Sequence, residues 1–206
     1  MTSPSPVIHI IDDDGSFRTS MRRLLAALGY QTAIYESGSA FLENLPIDDA
    51  GCILLDLQMA GVGGFELQER LGLSDNTLPI IFLTAHGDIK ASVQAMRSGA
   101  EDFLAKPVTK QALIECVERA LIRNLERRQH RDRLRAMRTL VTSLTPREAE
   151  VFAMVVRGRL NKQIAHDLGT TIRTVKAHRQ AGMDKLGVKS LAQAVSIAER
   201  LGMLTD

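Results

Sequence analysis

No apolar run in the 206-residue sequence approaches the ~20 residues that a membrane-spanning helix needs. The start, Met1-Thr2-Ser3-Pro4, lacks a basic, apolar leader, so the chain is expected to be cytoplasmic, with neither secretory signal nor membrane span. Cysteine is scarce. Cys52 and Cys116 form no CxxC pair and no HExxH occurs, which removes the common metal and redox motifs. Both read as buried thiols in apolar surroundings, suited to a reducing compartment. Walker A, GxGxxG and GxSxG loops are also missing, so nucleotide binding and acyl transfer lose their usual apparatus. What is present is ordinary for a folded protein: 45% apolar and 24% charged residues argue against disorder.

A net charge of +2 hides an imbalance. Residues 1–121 hold 9 Lys and Arg against 16 Asp and Glu, whereas residues 122–206 hold 17 against 8. An acidic half joined to a basic half reads as two domains with different partners. The basic half is the candidate for nucleic acid, because neutralising phosphates supplies most of such affinity.

In the acidic half, short apolar runs alternate with stretches of helical spacing. The runs are Val7–Ile11, Gln31–Tyr35, Cys52–Leu55, Pro79–Leu83 and Asp102–Ala105. Between them, Phe17, Met21, Leu24, Leu25 and Leu28 recur at helical intervals and stop at Gly29. Further helices are expected near 38–45, 64–71 and 88–98, and one begins near Thr109. Strands without polar alternation are buried on both faces. The pattern therefore predicts five βα units in a doubly wound α/β fold with a five-stranded parallel sheet.

Ligands of such sheets sit outside the carboxyl ends of the strands. Strand one ends in Asp12-Asp13-Asp14, strand three in Asp56, strand four in Thr84 and strand five in Lys106-Pro107. Crowded carboxylates repel unless a hard dication such as Mg²⁺ neutralises them. A carboxylate beside Mg²⁺ can attack phosphorus, and the phosphoryl oxygens then need partners such as Lys106 and Thr84. Taken singly, each of these residues is an ordinary cap or loop residue; together, at the correct strand ends, they form a constellation.

Residues 5–121 resemble the receiver domain of two-component response regulators, with its CheY-like fold. The matching stretches are Ile11-Asp12-Asp13-Asp14, Leu55-Asp56-Leu57-Gln58-Met59, Leu83-Thr84-Ala85-His86-Gly87-Asp88 and Phe103-Leu104-Ala105-Lys106-Pro107. The resemblance implies Asp56 as phosphoacceptor and a sensor histidine kinase as donor. It implies Mg²⁺ held by Asp12, Asp13, Asp56 and the backbone carbonyl of Gln58. Thr84 and Phe103 take the place of the switch pair, Lys106 that of the phosphate-binding amine, and Lys106-Pro107 that of a cis bond. The Thr-Ala-His-Gly-Asp stretch is most similar to the FixJ/StyR-like branch, which includes regulators of aromatic-compound breakdown. Two positions depart from the pattern. Ala60 stands where Pro usually follows Met, and Val108 replaces the usual Phe after Lys-Pro.

From Gln111 the helical pattern continues through Leu113, Val117, Leu121 and Leu125, then resumes at Leu134, Met137 and Val141. One long helix, roughly 109–140, is expected. It is either a lever coupling the halves or a solvated linker (122–143), with His130 on its surface.

The remaining residues, 144–206, read as four short helices. Thr145-Pro146-Arg147-Glu148 fits a capping box with Pro at the first helical position. Ala149, Val151, Phe152 and Val155 form an apolar face up to Gly158. A second helix covers about Lys162–Leu168 and ends at Gly169; Thr171 can cap a third, about Ile172–Leu186; Ser190 opens a fourth with Ala194, Val195, Ala198 and Leu201. A tight glycine turn between the second and third matches a helix-turn-helix layout. In the third helix Ile172, Val175, Met183 and Leu186 suit the core, while Arg173, Lys176, Ala177, Arg179 and Gln180 suit DNA.

Residues 144–202 resemble the LuxR/NarL-type domain through Leu144–Glu148, Asn161-Lys162-Gln163-Ile164-Ala165 and Thr174-Val175-Lys176-Ala177-His178-Arg179. The residues expected to meet double-stranded DNA are Lys162, Thr171, Arg173, Thr174, Lys176, Ala177, Arg179 and Gln180. His178 has the place of a packed histidine. Gly182 stands where a bulky apolar residue is usual, which costs roughly 1 kcal/mol of helix propensity and loosens the helix end. The combined reading is a transcription factor rather than an enzyme, which forms a homodimer on phosphorylation and acts on promoter DNA with RNA polymerase. A phosphatase-type hydrolase is the first alternative, but it wants a second Asp two residues after the nucleophile, where Gln58 stands. A constitutive DNA-binding protein with a vestigial receiver is the second.

Overall fold

The structure, a computed structural model, describes residues 5–46, 50–85 and 89–204. His86, Gly87 and Asp88 of the fourth matching stretch lie outside the described residues. The chain divides into two compact units, Met1–Arg128 and Gln129–Asp206.

Five strands form the sheet of the first unit: β1 (Val7–Ile11), β2 (Gln31–Tyr35), β3 (Gly51–Asp56), β4 (Ile80–Thr84) and β5 (Asp102–Ala105). All pair in parallel, in the order β2-β1-β3-β4-β5. Five helices connect and cover them: α1 (Gly15–Ala27), α2 (Gly38–Glu43), α3 (Gly64–Gly72), α4 (Ile89–Arg97) and α5 (Lys110–Thr142). This is the doubly wound α/β arrangement that the alternating pattern predicts.

The central strands have no polar alternation because each face meets helices. Ile8, Ile10, Cys52, Leu54, Ile81 and Leu83 pack on Met21 and Leu25 of α1 and on Leu113, Val117 and Ala120 of α5. Ile11, Ile53, Leu55, Ile80 and Phe82 pack on the other side, against Phe41, Leu67, Leu71 and Ala95. The edges differ. β2 and β5 are only half-buried, and Ile34 is 42% exposed, because an edge strand has a neighbour on one side only. Cys52 lies in the apolar core as expected, but Cys116 does not have purely apolar company: its Sγ donates to Asp102 Oδ2 at 3.0 Å. Burial and the Asp102 carboxylate push this thiol up to about 12, and it stays protonated at neutral pH.

In the second unit, α6 (Pro146–Val156), α7 (Asn161–Asp167), α8 (Ile172–Lys185) and α9 (Leu191–Arg200) follow the end of α5. The capping box forms: Thr145 Oγ1 accepts from Glu148 N at 3.4 Å, and Glu148 Oε2 accepts from Thr145 N at 2.8 Å. The same Glu148 oxygen accepts from Lys185 Nζ at 2.6 Å, which ties the start of α6 to the end of α8. The Lys185 hydrogen bond and the Thr145 N–H hold its carboxyl below the usual range. Gly169, at φ 61°, makes the turn between α7 and α8 in the left-handed region that disfavours side chains.

One expectation about the core is corrected. Ile172 is 45% exposed, because it opens the first turn of α8, whereas Val175, one turn later, is fully buried. Leu125 is 56% exposed, since α5 there leaves the apolar surface that buries Leu113 and Val117. Gly182 does not break α8, which continues to Lys185. A Cβ at this position would meet Leu144 and Glu148 at 3.8 and 3.9 Å, ordinary contact distances, so packing does not demand glycine.

The helix expected over about 109–140 is α5, 33 residues long. Inside the first unit it is fastened by Asn124, which is 2% exposed. Asn124 Oδ1 accepts from Gly51 N at 3.1 Å, and its Nδ2 donates to the Thr77 carbonyl at 3.0 Å and to Thr77 Oγ1 at 3.3 Å. Gly51 itself, at φ 154°, has no room for a side chain: a Cβ would fall 1.9 Å from the Val7 carbonyl oxygen. One amide thus satisfies the first N–H of β3 and a carbonyl just before β4. Asn124→Ala leaves both groups buried and unpaired, and should destabilise the first unit by about 2–4 kcal/mol. Urea unfolding of the full chain checks this; a loss below about 1 kcal/mol would show that water replaces the amide at little penalty.

Candidate functional site

The register pairs Ile11 with Leu55 and Asp56 with Leu83, so the carboxyl ends of β1, β3 and β4 lie side by side. Asp12 is fully buried, Asp56 is nearly so, and Asp13 is exposed. One carboxylate oxygen from each falls within 4.8 Å of the others. Lys106, at the end of β5, donates from Nζ to Asp12 Oδ2 at 2.6 Å and to Asp56 Oδ1 at 2.9 Å. Thr84 is buried at the end of β4, and its carbonyl accepts from Lys106 N at 2.7 Å. The Lys106-Pro107 bond is cis.

The electrostatics follow from this crowding. Burial pushes Asp56 above the usual carboxylate value of 3.8, while the Lys106 hydrogen bond pulls it down; burial wins. Burial also works against the Lys106 ammonium, but its hydrogen bonds to Asp12 and Asp56 outweigh it and raise its pKa. The third acid of the run, Asp14, has another task. Its Oδ1 accepts from Ser16 N at 2.8 Å and Phe17 N at 3.2 Å, and so caps α1. The Ser16 hydroxyl and these amides hold its carboxyl low.

Gln58 is exposed on the loop after β3. Phe103, in β5, is half-buried with its ring centroid 6.5 Å from that of Phe82, already packed on the core. Three contributors escaped the sequence reading. The Phe17 ring lies 4.0 Å from Lys106 Nζ, a cation–π contact that supports the ammonium from below. Arg18 donates to the Asp12 carbonyl at 2.5 Å. Gly64 opens α3 so tightly that a Cβ would sit 2.8 Å from the Asp56 backbone oxygen. The available signal was the capped Asp14: a helix starting there turns Phe17 and Arg18 back toward the strand end.

In the second unit Lys162, Arg173, Lys176, Ala177 and Gln180 are exposed. Thr171 caps α8 through Thr174 N at 3.1 Å, and the two hydroxyls lie 2.8 Å apart. Gln180 donates to Asp184 Oδ1 at 2.8 Å. Arg179 is half-buried and turned toward Asn161 Oδ1, 3.3 Å away, instead of pointing straight outward.

A parallel sheet with acids and an amine at its carboxyl edge, joined to a capped helix-turn-helix, defines a class in which a receiver controls a DNA-binding output. Residues 8–118 match the family described as "Response regulator receiver domain", and residues 142–198 match "Bacterial regulatory proteins, luxR family". The chain belongs to the response regulators with a LuxR-type DNA-binding domain, a family of transcriptional regulators and not of enzymes. It is 35% identical over 199 residues to the transcriptional regulatory protein FixJ of Bradyrhizobium diazoefficiens, covering 97% of each chain. It is 34% identical over 201 residues to the response regulator protein TodT of Pseudomonas putida, covering 98% of this chain and 88% of that one. Among solved structures, the response regulator StyR is 44% identical, with a TM-score of 0.77, over 95% of this chain and 99% of that one.

Because Asp56 binds its proton more tightly when folded than when unfolded, its contribution to stability falls as pH rises from about 3.8 through the folded pKa. At neutral pH the ionised carboxylate opposes folding. Asp56→Asn should therefore raise the melting temperature at pH 7 in metal-free buffer, and the gap should narrow toward pH 4. Calorimetry showing a lower melting temperature for the variant would contradict this account of the buried charge.

Proposed function

We propose that Asp56 accepts a phosphoryl group from a sensor histidine kinase and that the modified receiver controls promoter binding by α8. The observation that carries this is Lys106 Nζ held between Asp12 and Asp56, with Asp13 beside them. The ammonium keeps an Asp56 oxygen in place and stands where the charge of an incoming phosphoryl group develops. The Asp56 carboxylate forms the new bond to phosphorus as the kinase histidine leaves; Thr84 and Lys106 receive the phosphoryl oxygens.

The donor set also fits a hard divalent cation. Three carboxylate oxygens within 4.8 Å, one of them exposed, suit an oxygen-preferring ion that keeps part of its water. Asp12, Asp13, Asp56 and the Gln58 carbonyl would hold Mg²⁺, which when bound screens the repulsion between carboxylate and phosphoryl group. In the output domain Arg173, Lys176, Ala177 and Gln180 form the outward face that meets the bases and phosphates, with Lys162, Thr171, Thr174 and Arg179 flanking it. Phosphorylation favours a homodimer through α4, where Ile89, Val93 and Met96 are 78%, 45% and 49% exposed. Pairing raises the effective concentration of the second DNA-binding domain at its half-site, and RNA polymerase is the downstream partner.

Acetyl phosphate with Mg²⁺ should label the chain once, at Asp56, as read by mass spectrometry. Asp56→Asn should abolish the label, Asp13→Ala should remove the Mg²⁺ dependence, and Lys106→Ala should slow labelling roughly 10²-fold. Equal labelling of Asp56→Asn would assign the phosphoryl group elsewhere. Sedimentation of the same samples reads the pairing: a labelled chain that stays monomeric at micromolar concentration while its DNA affinity rises would replace pairing by release of a masked domain.

On DNA, Lys176→Ala should weaken binding to all sequences alike, and Gln180→Ala should relax preference at one base pair by about 1–3 kcal/mol. Gel shifts against the natural operator and base-substituted copies separate the two effects. Unchanged affinity in both variants would place the DNA-binding face elsewhere.

A further inference from the structure

Helix α4 is thinly seated. Ala95 is its buried residue, while Ile89, Val93 and Met96 face outward. A polar attachment comes from α3. Gln68, 5% exposed, donates from Nε2 to the Ala95 carbonyl at 3.2 Å and to the Ser98 carbonyl at 3.1 Å. These carbonyls belong to the last turn of α4 and the residue just after it, where helical partners run out. The side chain of Gln68 therefore holds α4 at the point where α4 touches the core.

The other end of α3 is seated on the candidate phosphoacceptor. Gly64 packs against the Asp56 backbone and the Phe82 ring so closely that a Cβ would lie 2.8 and 2.9 Å from them. Gly64 N also donates to the Leu57 carbonyl at 3.3 Å. Gln68 follows four residues later, one turn along the same face of the helix. The Gln68 amide thus lies one helical turn from the residue seated on the Asp56 backbone, and it reaches α4 directly.

The amide is also incompletely satisfied. Gln68 Oε1 is buried without a hydrogen-bond partner among the described residues. The residue lines a cavity of about 90 Å³ with Asn76, Ser98 and Gly99. An unmet buried acceptor weakens the present arrangement, and the adjoining space admits another.

We infer that Gln68 is a positioning residue that couples α4 to Asp56 through α3, in parallel with the Thr84 and Phe103 pair. The inference rests on Asp56 being the phosphoacceptor. It assigns to a buried amide, far from any reacting atom, control over how far the α4 surface responds to the chemistry at Asp56.

The test uses the full-length chain with Gln68→Met, which keeps the volume, and with Gln68→Leu; each removes both donors and the unmet acceptor. Hydrogen exchange is read on α4 and α1 before and after acetyl phosphate treatment, beside the extent of Asp56 labelling. In the unlabelled variants, α4 amides should exchange about tenfold faster with α1 unchanged. Labelling of Asp56 should stay within about twofold, while the labelling-induced change in α4 exchange shrinks at least about fivefold. Unaltered α4 exchange and response in either folded variant would overturn the coupling. A uniform loss of protection across α1 and α4 would overturn it too, since that is the mark of a packing residue. If the unmodified chain takes no label at Asp56, the phosphoacceptor reading fails, and exchange in the unlabelled variants still decides whether Gln68 holds α4.

Discussion

The lysine–carboxylate contact at the sheet edge governs the first unit. Two buried acids, Asp12 and Asp56, sit at the ends of adjacent strands, and neither could be left alone there without a large desolvation penalty. Lys106 answers both at once, at 2.6 and 2.9 Å. Its reach from β5 across β4 to β3 and β1 requires the sheet order that places those ends in a row. The supports then follow: Asp14 caps α1, α1 presents Phe17 to the ammonium, and Arg18 fastens the Asp12 carbonyl. The arrangement is balanced rather than relaxed, since Asp56 remains harder to ionise than a free carboxylate even with its partner in place.

Much of this was legible in the residues, because burial on both faces leaves a plain mark. The runs at Val7–Ile11, Cys52–Leu55 and Pro79–Leu83 read as strands buried on both faces, and their terminal polar residues then fall on one edge. Caps were legible for the same local reason: Thr145 with Glu148, and Thr171, advertise helix starts through nearby atoms. What escaped depends on contacts between residues far apart in the chain. Asn124 in a run of charged residues looks like one more solvated side chain, yet its partners are 73 and 47 positions away. Gln68 likewise reads as the polar face of an amphipathic helix. Ile172 failed for the converse reason, since its spacing suits the core while its place in the first turn of α8 leaves it in water.

The two units are stabilised by different means. The first depends on a thick core split by a sheet, into which few polar groups enter; among the described residues Asp12, Asp56 and Asn124 are paired there, while Gln68 Oε1 is not. The second is a set of short helices whose ends matter as much as their faces, because each is too short to be stable by itself. Glu148 shows this economy: one carboxylate closes a capping box and also receives Lys185. The opposite charges of the two halves follow the same division, with the acidic excess in the receiver domain and the basic excess in the LuxR-type DNA-binding domain.

The Glu148–Lys185 contact fastens α8 at its far end, away from Arg173, Lys176 and Ala177. Those outward positions take no part in either core cluster of the domain. The outward surface of α8 can therefore change in sequence while the apolar contacts that hold the four helices together stay in place.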